Sequence, residues 1–431
     1  MTDTSLLPIG AAVPALDGES RWVADALGLS WESGETEPPE PPEPPEPPAS
    51  LASLDALAGL ALRRNPRRAH LLVSRVLGKH LPVEPSVALA AAADLAARVR
   101  EVVDRPALVL GFAETATALG QAVAAALPDA QCVLSTRRPG VETIVFAEEH
   151  SHAVGHRVLA PAAMLTQPRP VVLVDDELSS GRTAVNTIRA LHRQAPHPAY
   201  VVASLLDVRP PEHRAAFAAL AAELGVAVQA VSLLSGSLRV PADAPDRVAP
   251  LVAAADEPLR LAPAWPARRV DAQWPSDVQL SARYGWDRSD EDVLAARLVP
   301  LAQRLRLELA GAARVLVLGT EELMYAPLRL AAVLAESLAG AGASVRYQST
   351  TRSPVAPLDR EGYAVRCALA FRAGDPTPDE PQRLSFVYNV RPGCADHIVV
   401  VTDGGDTGPM VEALRGCAPV TEVLLRDEVA R

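Results

Sequence analysis

The segment Val171-Val-Leu-Val-Asp-Asp-Glu-Leu-Ser-Ser-Gly-Arg-Thr183 constrains the fold more than any other part of the chain. Four aliphatic residues with no polar interruption read as a strand buried on both faces, as in parallel sheets. Two carboxylates follow, and then a run of small and hydroxyl residues that enters a helical pattern at Ala184–Arg193. A strand passing into a helix through a short loop is the repeating unit of α/β sheets. Its loops open at the carboxyl edge, where ligand sites collect.

The same alternation extends to either side. Ala107–Gly111 reads as a buried strand, Thr115–Leu127 as a helix and Gln131–Ser135 as a strand. Tyr200–Leu206 is a strand, Glu212–Leu224 a helix and Val226–Leu233 a strand. Upstream, Leu51–Leu81 has helical spacing broken at Asn65-Pro66, and Val87–Val102 is a second helix. Residues 241–280 are rich in Pro and Ala with little periodicity, so a domain boundary is placed there.

A second series follows, with helices at Asp290–Ala310, Pro327–Ala339 and Pro409–Arg415. Its strands are Arg314–Gly319, Ser344–Ser349, Leu384–Val390, Ile398–Thr402 and Thr421–Leu425. The chain of 431 residues is thus expected to hold two α/β domains, 50–265 and 266–431. Residues 1–49 are expected to be a disordered tail with one amphipathic stretch at Trp22–Leu29. The Pro-Pro-Glu repeat from Glu37 to Pro48 forces an extended polyproline spacer. Folded structure is expected from about Ser50.

Composition narrows the function. A net charge of −11 argues against wrapping a nucleic-acid backbone. Cys132, Cys367, Cys394 and Cys417 are scattered without CxxC spacing, which points to free thiols in a reducing cytoplasm. No run of 18 apolar residues and no secretory signal is present. A cytoplasmic protein with no membrane span is expected. Of the 41 Lys and Arg residues only Lys79 is a lysine, so either a compact ammonium is needed there or its survival in an Arg-biased composition is chance.

In the central loop, Ser179–Thr183 can turn N–H groups and hydroxyls around a monophosphate, helped by the helix that follows. Asp175 and Asp176 stand where a diol can donate to carboxylates. Phosphate beside a vicinal diol describes ribose 5-phosphate, and the segment resembles the PRPP-binding signature of type I phosphoribosyltransferases. The resemblance implies that Asp175 and Asp176 hold ribose hydroxyls and that Ser179, Ser180, Gly181, Arg182 and Thr183 hold the 5-phosphate. It also implies Mg²⁺ carried on PRPP, with Asp175 and Asp176 meeting the metal only indirectly. The Walker spacing GxxxxGK[ST] is absent.

The loop Gly111-Phe-Ala-Glu-Thr-Ala-Thr117 looks like the family's pyrophosphate loop, through Ala113, Glu114, Thr115, Ala116 and Thr117. A hood over the reacting centre is expected between the two loops, with Lys79, Arg137, Arg138, His150 and His152 as catalytic or hood candidates. Glu148 and Glu149 are candidates for holding magnesium, and His150, His152 and His156 form an alternative metal set, since His152 and His156 are i, i+4 on a helix.

Closer still, Leu62-Arg-Arg-Asn-Pro-Arg-Arg-Ala-His70, Leu77-Gly-Lys-His-Leu-Pro82, Gly111–Gly120 and Glu148-Glu-His-Ser-His152 resemble an orotate phosphoribosyltransferase-like bacterial family. That family belongs to tellurium-resistance (Ter) stress operons, and its partner domain is named for a Thr-Arg-Ser-Pro motif. Thr351-Arg-Ser-Pro354 stands in the second half of this chain. The resemblance implies a type I phosphoribosyltransferase fold plus a Rossmann-like TRSP domain, and synthesis of a nucleoside-like metabolite.

In that second domain the loops Gly319–Glu322, Thr350–Pro354 and Thr402–Gly408 should open on one sheet edge. They nominate a separate ligand site of Glu321, Arg352, Ser353, Asp403, Asp406 and Thr407, with Tyr325, Tyr388 and Asn389 orienting a base or ring. The expected reaction displaces pyrophosphate from PRPP by an unidentified, base-like acceptor. The other readings are a PRPP sensor without chemistry and an adaptor acting through its Pro-Pro-Glu arm. A homodimer, and contacts of that arm with other proteins, are kept as options.

Overall fold

A computed structural model describes residues 19–33, 51–65, 68–138, 140, 141, 143–146, 156–253, 259, 261, 263–276, 278–375 and 382–425. The first described elements are α1 (Glu19–Leu27), β1 (Ser30–Ser33) and α2 (Leu51–Leu57). A hairpin of β2 (Ala58–Asn65) and β3 (Arg68–Ser74) leads to α3 (Pro85–Arg100). The series continues with β4 (Leu108–Gly111), α4 (Thr117–Ala126), β5 (Gln131–Thr136), β6 (Ile144–Phe146), β7 (His156–Val158) and α5 (Ala162–Leu165). Then come β8 (Val171–Leu178), α6 (Arg182–Gln194), β9 (Ala199–Asp207), α7 (Pro211–Leu224), β10 (Ala227–Arg239) and α8 (Ala244–Ala253).

The first sheet has eight strands in the order β1-β10-β9-β8-β4-β5-β7-β6. Its five central strands, β10 to β5, are parallel. β4 leads to β5 on one side, while β8 leads to β9 and β10 on the other. The order therefore reverses between β4 and β8, and the loops that leave these two strands part to form a crevice at the carboxyl edge.

The second domain holds β11 (Ala267–Asp271), α9 (Arg288–Glu308), β12 (Arg314–Gly319), α10 (Tyr325–Leu338) and β13 (Ser344–Ser349). It ends with β14 (Ala368–Arg372), β15 (Leu384–Tyr388), β16 (His397–Thr402), α11 (Gly408–Arg415) and β17 (Val420–Leu424). Five parallel strands run in the order β11-β17-β16-β12-β13, reversing between β12 and β16. The fold is α/β in both halves. Helix α9 starts at a capping box: Asp287 accepts from the N–H groups of Ser289 and Asp290, and Asp290 accepts from that of Asp287.

Three expectations are corrected. Folded structure starts before Ser50, because Trp31–Ser33 in β1 pairs antiparallel with β10 and caps that edge of the sheet. The helical spacing of Leu51–Leu81 gives only the short α2; β2 and β3 pair antiparallel after it, and residues 75–81 are irregular. Ala58–Leu62 and Ala69–Val73 are short continuous apolar runs, which periodicity cannot assign, and the intervening Pro66 favours a turn. Leu384–Tyr388 lies outside the parallel sheet, paired with β14, a strand the sequence reading missed.

The two domains are joined along a broad seam. Val83 and Tyr347 exchange backbone hydrogen bonds of 2.9 and 2.7 Å, and Ser349 N–H donates to the Gly78 carbonyl at 2.7 Å. Gly78 sits at φ +70°, and a Cβ there would lie 2.6 Å from the Tyr347 ring. The Tyr363 hydroxyl accepts from Leu62 N–H at 2.8 Å. One buried apolar cluster runs through both domains, taking in Leu95 and Val123 of the first and Leu298, Leu330 and Tyr347 of the second. The seam places the carboxyl edge of β13, and hence Thr350–Pro354, over the crevice of the first sheet.

Candidate functional site

Each wall of the crevice is built by a local feature of the sequence. β8 runs on through Asp175, Asp176 and Glu177, so these carboxylates leave the sheet half-buried. Gly181 caps α6 at φ +75°, with Phe217 so close that a Cβ would approach its ring to 2.8 Å. Only glycine combines that backbone with that contact. The Ser180 hydroxyl accepts from Arg182 N–H at 3.2 Å.

The opposite wall follows β4. A Cβ on Gly120 would meet Gly111 Cα at 2.7 Å, so the pair brings α4 close against β4. The Ala113–Glu114 peptide between them is cis. Ala113 N–H donates to the Ser135 hydroxyl at 2.9 Å, and that hydroxyl also shares a hydrogen bond of 2.8 Å with His156 Nδ1. Lys79 Nζ donates to Thr115 Oγ1.

Between these walls lies a cavity of about 510 Å³. Asp175, Asp176, Ser179, Ser180, Gly181 and Thr183 line one side, and Ala113, Glu114, Thr115, Lys79 and Arg137 the other. Arg352 and Ser353 of the second domain close it, with Thr351 and Pro354 beside them. The whole Thr-Arg-Ser-Pro motif therefore faces the crevice of the first domain. Arg182, Ala116 and Thr117 stand outside the lining, Thr117 donating its hydroxyl to the Glu114 carbonyl at 3.1 Å.

This arrangement corrects the idea of one separate C-terminal site. Glu321, Asp403, Asp406 and Thr407 surround a smaller cavity of about 50 Å³ at the β12/β16 reversal, while Arg352 and Ser353 belong to the larger one. The cause is β13, which lies at the sheet edge against the first domain and carries its loop away from β16. Arg138 is also reassigned: it ion-pairs with Asp403 at 3.0 Å and Asp375 at 3.2 Å, in the smaller cavity.

Tyr325, Tyr388 and Asn389 are structural. Tyr325 donates to Glu291, Tyr388 donates to the Ser353 carbonyl at 2.7 Å, and Asn389 donates to the carbonyls of His80 and Ala364. His156 opens a strand and stacks on Phe146, so it is not i, i+4 on a helix with His152. His150, His152, Glu148 and Glu149 lie outside the described residues.

Charge is arranged unevenly around the cavity. Burial, then the neighbouring Asp176 charge, push the Asp175 carboxyl well above the ordinary carboxylate range. Burial also raises Glu114, against the opposing pull of Lys79. For Glu321 burial acts upward, yet the guanidiniums of Arg352 and Arg383 hold it below the usual range. Burial, with the Lys79 and Arg63 charges, keeps His80 neutral.

Residues 57–237 match a family described as phosphoribosyl transferase. Residues 280–415 match the TRSP domain, described as C-terminal to that transferase. The chain therefore carries a phosphoribosyl transferase domain followed by the TRSP domain described as its C-terminal companion. No curated protein matches its sequence.

Solved structures similar to the chain include the adenine phosphoribosyltransferase of Giardia lamblia complexed with 9-deazaadenine, at 19% identity and TM-score 0.30, covering 42% of this chain and 96% of that one. That of Rhodothermus marinus is 18% identical, TM-score 0.29, covering 43% and 97%. That of Trypanosoma brucei, in complex with AMP, pyrophosphate and ribose-5-phosphate, is 13% identical, TM-score 0.31, covering 43% and 79%.

Sequence reasoning missed several residues that line the larger cavity, among them Arg63, Leu71, Leu72, His80, Glu177 and Thr351. Arg63 and His80 lie inside the quoted Leu62–His70 and Leu77–Pro82 segments, which carried the available signal. Leu71 and Leu72 had none, because they reach the cavity only through the β2–β3 hairpin.

Proposed function

We propose that the cavity binds PRPP and transfers its ribose 5-phosphate to a base-like acceptor with release of pyrophosphate. One observation carries this reading: the Asp175–Thr183 and Ala113–Thr115 walls face each other across a single cavity at the sheet's reversal point. Ser179, Ser180, Gly181 and Thr183 take the 5-phosphate at the start of α6, and Asp175 and Asp176 accept from the ribose hydroxyls. Arg182 acts through Ser180, whose hydroxyl its backbone N–H holds in place. The Ala113–Thr117 loop, Lys79 and Arg137 receive the pyrophosphate.

Displacement at C1 develops oxocarbenium character, so the chain's work is to fix the reactants and stabilise departing charge. Lys79 supplies one positive charge beside the departing group, and Arg137 another. Among the described residues no three His, Cys, Asp or Glu side chains converge on a metal position. Asp175 and Asp176, which line the cavity beside the phosphate loop, would meet magnesium carried on PRPP only indirectly, through the ribose hydroxyls they accept from. When bound, the ion would neutralise pyrophosphate charge. A nucleoside-like product and a tellurium-resistance role rest on the resemblance of the quoted segments and the TRSP pairing.

The test is a screen of candidate acceptors for pyrophosphate release from Mg·PRPP by the full chain, with Asp175→Asn/Asp176→Asn as control. The double variant is expected to keep the fold and lose turnover. Full release by that variant would refute the assignment.

A further inference from the structure

We propose that Arg352 is a positioning residue, supplied by the C-terminal domain, that neutralises Glu114 so that the Ala113–Thr117 loop can receive the pyrophosphate of PRPP. The proposal rests on the transferase reading above and assigns the Thr-Arg-Ser-Pro motif a part in it.

A carboxylate is an awkward residue in a loop meant for a polyanion. Glu114 is 9% exposed, buried beneath the cavity it lines. Two like charges at such short range repel strongly where water is scarce. Within the first domain the Lys79 charge draws on Glu114, and its ammonium already donates to Thr115. The rest of the compensation crosses the seam.

Arg352 N–H donates to Glu114 Oε2 at 3.2 Å, and its guanidinium Nε lies 3.7 Å from the same oxygen. The Thr351 side chain also favours the ionised form of Glu114. Nε of Arg352 reaches Glu321 Oε2 at 2.8 Å, and Glu321 Oε1 accepts from Arg383 at 2.6 Å. Glu114, Arg352, Glu321 and Arg383 thus alternate in sign in one buried row. The row runs on from Arg383 to Asp375, which also pairs with Arg138; Arg352 is the member that meets the Glu114 charge, and so it leaves Lys79 to the ligand. Without Arg352, Glu114 would keep its charge at the cavity wall with Lys79 left to offset it, and Glu321 would lose one of its two guanidinium partners.

The experiment titrates the full chain with magnesium pyrophosphate, PRPP and ribose 5-phosphate separately. Arg352→Gln is expected to weaken pyrophosphate and PRPP on the order of tenfold or more, the scale of one uncompensated charge at this range. Ribose 5-phosphate affinity should be unchanged, because its contacts lie on the β8 wall. Glu114→Gln/Arg352→Gln should regain most of the lost affinity.

The proposal is overturned if R352Q binds pyrophosphate like the wild type, or if the double variant is no better than R352Q. If R352Q also loses ribose 5-phosphate because it does not fold, Glu114→Gln decides. Unchanged or tighter pyrophosphate binding by E114Q supports charge compensation, and a loss overturns it. Failure of the wild type to bind ribose 5-phosphate would instead sink the transferase reading.

Discussion

Thr136 donates its hydroxyl to Glu322 at 2.5 Å across the seam, tying the end of β5 to the loop after β12. Glu322 also accepts from Arg137 N–H at 2.9 Å and pairs with Arg283 at 3.6 Å. One buried carboxylate of the C-terminal domain therefore fixes the segment that presents Arg137 to the cavity.

Glu322→Ala should destabilise the protein by about 3 kcal/mol, since it strips a buried guanidinium and hydroxyl of their partner. Urea denaturation checks this. Burial opposes ionisation of Glu322, but Arg283 and Arg138 hold its carboxyl below the ordinary range. Its stabilising contribution is thus present above the unfolded carboxylate pKa and lost as pH falls through the lower folded value. The E322A deficit should shrink in acid.

Gly120→Ala tests the close approach of α4 to β4. Its Cβ would stand 2.7 Å from Gly111 Cα, a backbone atom that cannot swing away. A loss of about 2 kcal/mol is expected, as for other overpacked sites. PRPP affinity should fall as well, because the same approach shapes the Ala113–Thr117 loop. Thermal melts and ligand titration read the two effects.

Asp175 predicts a pH dependence of opposite sign. With its carboxyl held high by burial and Asp176, the unliganded fold binds a proton that the unfolded chain has already released. Its contribution to stability therefore falls as pH rises from the unfolded carboxylate value through the raised folded one. Ribose hydroxyls favour the ionised form, so PRPP should bind with proton release and more tightly as pH rises through that window. Calorimetry in two buffers of different ionisation enthalpy measures the proton, and Asp175→Asn should remove it.

Lys79→Arg probes the single lysine. Its compact ammonium sits on Thr115, in a corner with His80 and Glu114. A planar guanidinium cannot occupy that corner in the same way. kcat/KM for PRPP should drop on the order of tenfold. An unchanged value in steady-state kinetics would show that the lysine's singularity is compositional.

The sequence by itself determined the α/β class, most strands of both sheets and the two loops that wall the cavity. These are local: a buried strand, a small-residue turn and a helix start are written in consecutive residues such as Val171–Thr183. It misjudged Leu51–Ser74, where short apolar runs fit helix and hairpin alike and only tertiary pairing decides. It also assigned Arg138, Tyr388 and the Thr-Arg-Ser-Pro motif by chemistry without place. Only the tertiary structure brought Arg352 to Glu114, 238 residues away in the chain, because that juxtaposition follows from packing β13 against the Gly78–Val83 segment. Charge compensation between distant residues depends on distance, and distance is settled only when the two sheets dock.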